Sequence, residues 1–240
     1  PVLMVPGLAV LALVLPRIPP IETLGERGDL SGFRALRPYR KPLTLLYLIV
    51  VTRTLAALSF ATFMPVLLTT QGMRVAEAGA AVSIYLFASG VGGFFGGHLA
   101  DVHGPRRVII LSLITSLPFL VAAPLTTGWT FALLLSIGGF ILQSTLPVNV
   151  TFGQQLAPVS AATVSSLMMG FAWGTGALLV PAVGMLADRA GLAGALFVVA
   201  LAPAGAIVAA WGLPATVSPD GPRDSGPAPA PRPWDHGEVG

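Results

Sequence analysis

Few side chains in this sequence can do chemistry, and they gather in two places. Arg53 is the only charged residue within the long apolar segments of the chain. A guanidinium inside a bilayer is costly, so such a residue faces a cavity or a partner group and marks a functional site. It follows Leu43 by ten residues, which is about 15 Å of helix and close to the bilayer midplane. A structural arginine, tied to helix-end carbonyls or to a carboxylate elsewhere in the protein, is the competing reading. Gln143 and Asn149 flank Pro147, a residue that interrupts its helix and exposes backbone carbonyls to a cavity. Their amides suit a polar substrate and, equally, hydrogen bonds between helices. Trp173, with Phe171, offers an aromatic wall for an amphipathic molecule, or lipid-facing bulk. Arg53, Gln143, Asn149 and Trp173 are therefore the substrate-cavity candidates.

The second place is the short stretch from His98 to Arg107. Asp101 beside a helix start and the arginines Arg106 and Arg107 makes a contact that must break when helices separate. His98, Asp101 and His103 lie close enough in sequence to suggest a metal, but two histidines and a carboxylate at a loop are common, and no metal is assigned. No Ser/His/Asp arrangement, carboxylate pair or phosphate-cradling glycine loop stands where a reaction could occur. No catalytic residue, cofactor or enzyme activity is expected, and without a Walker sequence the chain does not itself consume ATP. Cysteine is absent, which excludes disulfides, thiolate catalysis and Cys-based metal sites.

The elements that must position these residues are membrane spans. Of the 240 residues, 54% are hydrophobic and 10% charged, against about 25% charged in soluble domains. The mean hydropathy is +0.82. Residues 108–187 form a run of 80 without Asp, Glu, Lys or Arg. At about 20 residues per span that run holds three spans and their connectors. The net charge of +3 comes from basic residues in loops beside apolar segments, a membrane topology pattern rather than a nucleic-acid surface. Residues 1–16 read as the end of a truncated transmembrane helix, since the chain opens on Pro1 with an apolar run too short to span. Residues 17–42, with five arginines and Lys41 among Gly and Pro, read as a central loop. A bundle of six helices is expected over 43–213, with spans near 43–70, 78–100, 108–125, 129–150, 161–187 and 192–213. The Pro- and Gly-rich residues 214–240 cannot bury enough apolar surface to fold and read as a disordered tail.

Alternating the sides of six spans places ten basic residues with the central loop and the tail, and two, Arg74 and Arg189, on the other side. By the positive-inside rule the loop and the tail are cytoplasmic, in a cell (inner or plasma) membrane. Two segments then stand out: Gly97-His98-Leu99-Ala100-Asp101-Val102-His103-Gly104 and Gly184-Met185-Leu186-Ala187-Asp188-Arg189-Ala190-Gly191. Both read G-x-L-A-D-x-x-G and each closes the second helix of a triplet. Three spans is an odd number, so the copies have opposite orientation, as in the 3+3 inverted repeats of secondary transporters. Gly90, Gly92, Gly93, Gly96 and Gly97, and then Gly170, Gly174 and Gly176, form overlapping small-residue motifs that permit close helix packing. Gly93, Gly97, Gly170 and Gly174 are the packing candidates.

The segment from Gly96 to Arg107 resembles the cytoplasmic loop signature of the major facilitator superfamily, between the second and third helices of each half. The resemblance implies an all-α membrane fold and the carboxy-terminal half of a transporter. It further implies a gating charge cluster of Asp101, Arg106 and Arg107, weakened here by Val102 and Pro105 where the family carries basic residues. Gln154-Gln155-Leu156-Ala157-Pro158, Met169 to Gly176 and Val180 to Arg189, with Arg53 and Pro65, are similar to the fosmidomycin-resistance type of drug efflux transporters. Drug or small-solute efflux by alternating access is the function this implies, with an importer of an organic solute or a membrane scaffold as alternatives. The implied partners are the lipid bilayer, a missing amino-terminal half and a small-molecule substrate, with a proton as the candidate coupling ion. None of the expected spans holds Asp or Glu, so a proton carrier would sit in the missing half or at a boundary residue such as Asp101 or His98.

Overall fold

The computed structural model describes residues 36–214. The expected helix end at residues 1–16, most of the loop at 17–42 and nearly all of the tail lie outside the described residues. The described residues form helices and turns, with six helices long and apolar enough to cross a membrane. They are α1 (Arg37–Thr70), α2 (Val75–His103), α3 (Pro105–Leu125), α4 (Gly128–Leu156), α5 (Ala161–Ala190) and α6 (Leu192–Trp211).

Two boundaries differ from the sequence expectation. Helix α1 begins at Arg37, inside the stretch read as loop, because Pro38 falls in the first turn, where its missing N–H has no helical partner to lose. Helix α4 runs through the polar stretch after Asn149 to Leu156, and Gln154 Nε2 donates to Ser165 Oγ of α5 at 2.7 Å. A polar residue with a partner on the next helix need not leave the helix. The turn comes at Ala157, which leaves the helical region (φ −137°, ψ 71°) ahead of Pro158.

Prolines set the interruptions. Helix α4 breaks at Ser144, and Pro147 has no N–H to offer the Gln143 carbonyl. Helices α5 and α6 break at Leu179 and Leu201, each two residues before a proline. Helix α5 also widens into a π-helical stretch over Leu167–Ala172, immediately before Trp173.

The triplet repeat is visible in the backbone. Gly104 ends α2 with φ 84° and ψ 143°, and Gly191 ends α5 with φ 76° and ψ 156°. Only glycine enters that region without strain, so the final G of both motif copies is required by the same turn. Packing follows the same symmetry: α1 lies along α5 and α6, while α4 lies along α2 and α3. The first helix of each triplet therefore packs on the second and third helices of the other, the arrangement of an inverted repeat. Helices α1 and α4 are the most enclosed, and α2 and α5 the least.

Glycines decide how closely α2 and α4 approach. A Cβ on Gly92 would stand 2.0 Å from the Phe140 carbonyl oxygen, and one on Gly96 1.8 Å from that of Ser144. On the other seam, a Cβ on Gly176 would meet Thr54 Cβ at 2.8 Å and the Val51 carbonyl at 3.1 Å. The expected packing glycines lie away from these closest approaches. A Cβ on Gly93 would have only the Gln143 carbonyl at 3.7 Å, and Gly97, Gly170 and Gly174 have nothing within 4 Å. Two interlocking small-residue registers run along α2, and the one facing α4 is set by the buried stripe Ala78, Ala81, Tyr85, Ser89, Gly92 and Gly96.

Candidate functional site

Arg53 is the seventeenth of the 34 residues of α1, at the middle of the span. It is 1% exposed and is among the largest fully buried side chains in the structure. Its Nη1 donates to Gln143 Oε1 of α4, while Nε and Nη2 have no partner among the described residues. A buried charge without full pairing carries a penalty of several kcal/mol.

Around the guanidinium lies a cavity of about 160 Å³ lined by α1, α2, α4 and α5. Its polar lining is Arg53, Thr54, Tyr85, Ser89 and Gln143, and Trp173 forms part of the wall. Tyr85 OH donates to the Ala57 carbonyl, one turn beyond Arg53, at 3.2 Å. Gly139 makes room for the Tyr85 ring, since a Cβ there would stand 2.5 Å from Cε2. Thr52, Ser83 and Ser136 turn their hydroxyls back onto carbonyls four residues earlier. Thr54 and Ser89 do not, and their buried hydroxyls are unpartnered.

Three of the four expected cavity residues, Arg53, Gln143 and Trp173, thus meet in one cavity. Asn149, 1% exposed with both amide atoms unpartnered, lies further along α4 and is not part of the lining. Six residues of helix separate it from Gln143, about 9 Å of rise. Tyr85, Ser89 and Thr54 were missed by residue type alone. The signal that finds the first two is the α2 stripe, where small and polar residues recur at helical spacing.

The expected charge cluster forms no ion pair among the described residues. Asp101 and Arg107 are exposed, and among the described residues the one ion pair joins Arg74 to Glu77. Arg106 instead donates from Nη2 to the Trp211 carbonyl at 2.9 Å, tying the start of α3 to the end of α6. Asp101 lies in the last turn of α2 and Arg106 in the first turn of α3 beyond Gly104. Among the described residues no group of three or more His, Asp or Glu could hold a metal.

Comparison with known proteins agrees with this geometry. Residues 46–237 match the Major Facilitator Superfamily. The uncharacterized MFS-type transporter YfnC of Bacillus subtilis (strain 168) is 34% identical over 140 residues, 58% of this chain and 34% of that protein. The fosmidomycin resistance protein of Escherichia coli (strain K12) is 34% identical over 119 residues, 49% of this chain and 29% of that protein. The chain thus matches about a third of the length of these relatives. Among solved structures, the E. coli fucose:proton symporter FucP shares the fold at a TM-score of 0.63 and 17% identity, covering 78% of this chain and 46% of that one. With six membrane-capable helices in two inverted triplets and a family match over most of its length, the chain belongs to the Major Facilitator Superfamily.

Proposed function

We propose that the chain is the carboxy-terminal half of a secondary active transporter that exports a small molecule by alternating access. The observation that carries this reading is Arg53, buried at mid-span beside a cavity between the two triplets. A binding site halfway through the membrane is what alternating access requires, because it can be opened to either side in turn. Efflux is favoured over uptake by the relative named a fosmidomycin resistance protein. The exposed apolar faces of α2 and α5, with Phe87, Phe94, Phe171 and Leu178 among their exposed residues, suit an amino-terminal half and lipid as neighbours. The basic central loop and the tail are assigned to the cytoplasm by the charge bias. No carboxylate lines the Arg53 cavity, so the proton carrier is assigned to the other half. Asp101, Arg106 and Arg107 act as a gate only through partners outside this half.

The test uses the complete protein in an efflux-deficient bacterial host and in everted vesicles. Expression should lower accumulation of fosmidomycin or another exported probe, and an imposed proton gradient should drive its movement. Arg53→Ala should abolish that movement at unchanged membrane abundance. Full export by Arg53→Ala, or export indifferent to the proton gradient, would refute the corresponding part of the reading.

A further inference from the structure

The Arg53 guanidinium presents its free atoms in a specific pattern. Nη1 is occupied by Gln143, and the two donors without partners are Nε and Nη2. These two lie on the same side of the planar group and point in parallel, which is the fork that receives two oxygens of a carboxylate, phosphonate or phosphate. Gln143 holds the opposite corner, so the fork has a fixed orientation.

The surroundings offer the fork no anion. Among the described residues the carboxylates are Glu77, Asp101 and Asp188, and none lines the cavity. Glu77 is already paired with Arg74 and precedes Tyr85 by eight residues, about 12 Å of helix. The unpartnered hydroxyls of Thr54 and Ser89 line the same cavity and supply further donors. Trp173 and the aliphatic wall residues leave room of about 160 Å³, the size that accepts a benzene-sized apolar group.

We propose that the Arg53 cavity recognises an oxyanion, a substrate bearing a carboxylate, phosphonate or phosphate head on a small apolar body. The head takes two hydrogen bonds from Nε and Nη2, Gln143 acts as the positioning residue, and the body rests against Trp173. This rests on the reading of the cavity as a substrate site. The same fork chemistry would be satisfied by a carboxylate elsewhere in the complete protein, and the experiment separates the two sources.

Phenylphosphonate, its neutral dimethyl ester and benzylammonium are titrated against the purified complete protein by calorimetry and thermal shift. Phenylphosphonate should bind at least about tenfold more tightly than the ester, and benzylammonium should not bind. Arg53→Gln should remove that preference. Arg53→Lys, which keeps the charge and loses the fork, should retain only part of it. Equal affinity for phosphonate and ester, or an anion preference that survives Arg53→Gln, would overturn the assignment. A protein carboxylate seated on the fork gives the first of these results. The comparison of anion with ester uses the unmodified protein and stands even if a variant fails to fold. Arg53-dependent transport of a neutral or cationic probe, with no oxyanion preference, would leave the transporter reading intact and remove this one. Phosphonate binding without transport of any solute would do the reverse.

Discussion

The two glycine registers of α2 give a test that is independent of substrate. In Gly96→Ala the added Cβ would meet the Ser144 carbonyl oxygen at 1.8 Å, with the carbonyl carbon at 2.5 Å. Ordinary van der Waals contact begins at 3.4 Å, so α2 and α4 must part by about 1.6 Å at that level, a large displacement in an interface packed like a crystal. The obstacle is backbone, and no side-chain rotation relieves it. Overpacking of this kind costs up to about 3 kcal/mol. For a unit of this size each kcal/mol moves the unfolding midpoint by about 2–4 °C, so a fall of roughly 10 °C is expected. Gly97→Ala, one residue away on the same helix, meets nothing within 4 Å. It should leave the midpoint unchanged or raise it slightly, because alanine is the better helix former. Thermal unfolding followed by tryptophan fluorescence in detergent, run on both variants and the parent, measures the difference. Equal midpoints for the two variants, or a greater loss in Gly97→Ala, would show that α2 does not meet α4 through the face described.

Three further outcomes follow from the same contacts. Gly176→Ala closes on Val51 and Thr54 at 3.1 and 2.8 Å, a milder conflict, so the midpoint should fall less than for Gly96→Ala while probe affinity changes through Thr54 in the cavity wall. Tyr85→Phe keeps the ring and loses the bond to the Ala57 carbonyl; a loss of about 1 kcal/mol is expected, with transport reduced at constant membrane abundance. Arg106→Ala removes the tie to the Trp211 carbonyl and should lower the midpoint by a few degrees, about 1 kcal/mol, whereas the exposed Arg107→Ala should leave it in place; parallel unfolding curves decide.

The number and order of the spans were legible because a bilayer demands about 20 apolar residues for each crossing, and charge marks where a crossing stops. Helix ends were less legible. Arg40 and Lys41 read as loop although Pro38 lets the helix begin before them, and Gln154 read as a connector although Ser165 of α5 receives it. Arg53, Gln143 and Trp173 could be named from residue type alone, since a charge, an amide beside a proline break and an indole are rare inside spans. Tyr85 and Ser89 could not, because their role depends on which face of α2 meets α4. The overlapping glycine pairs left that face undecided between two adjacent registers. The sequence placed Asp101, Arg106 and Arg107 close together, but neighbours in sequence across a glycine turn need not pair, and among the described residues they form no ion pair.

The duplication also explains why the site carries an unbalanced charge. Arg53 is the seventeenth of 34 residues in α1, and Gln143 the sixteenth of 29 in α4. The bond between them therefore joins the midpoints of the first helices of the two triplets, at the place where an inverted repeat brings equivalent positions together. The backbone is repeated there, but the chemistry is not: one triplet supplies a cation and the other a neutral amide. A symmetric pair would have been two arginines repelling or two amides satisfying each other. A single arginine bound to a single glutamine commits one nitrogen to holding its orientation and leaves two, Nε and Nη2, without a partner among the described residues.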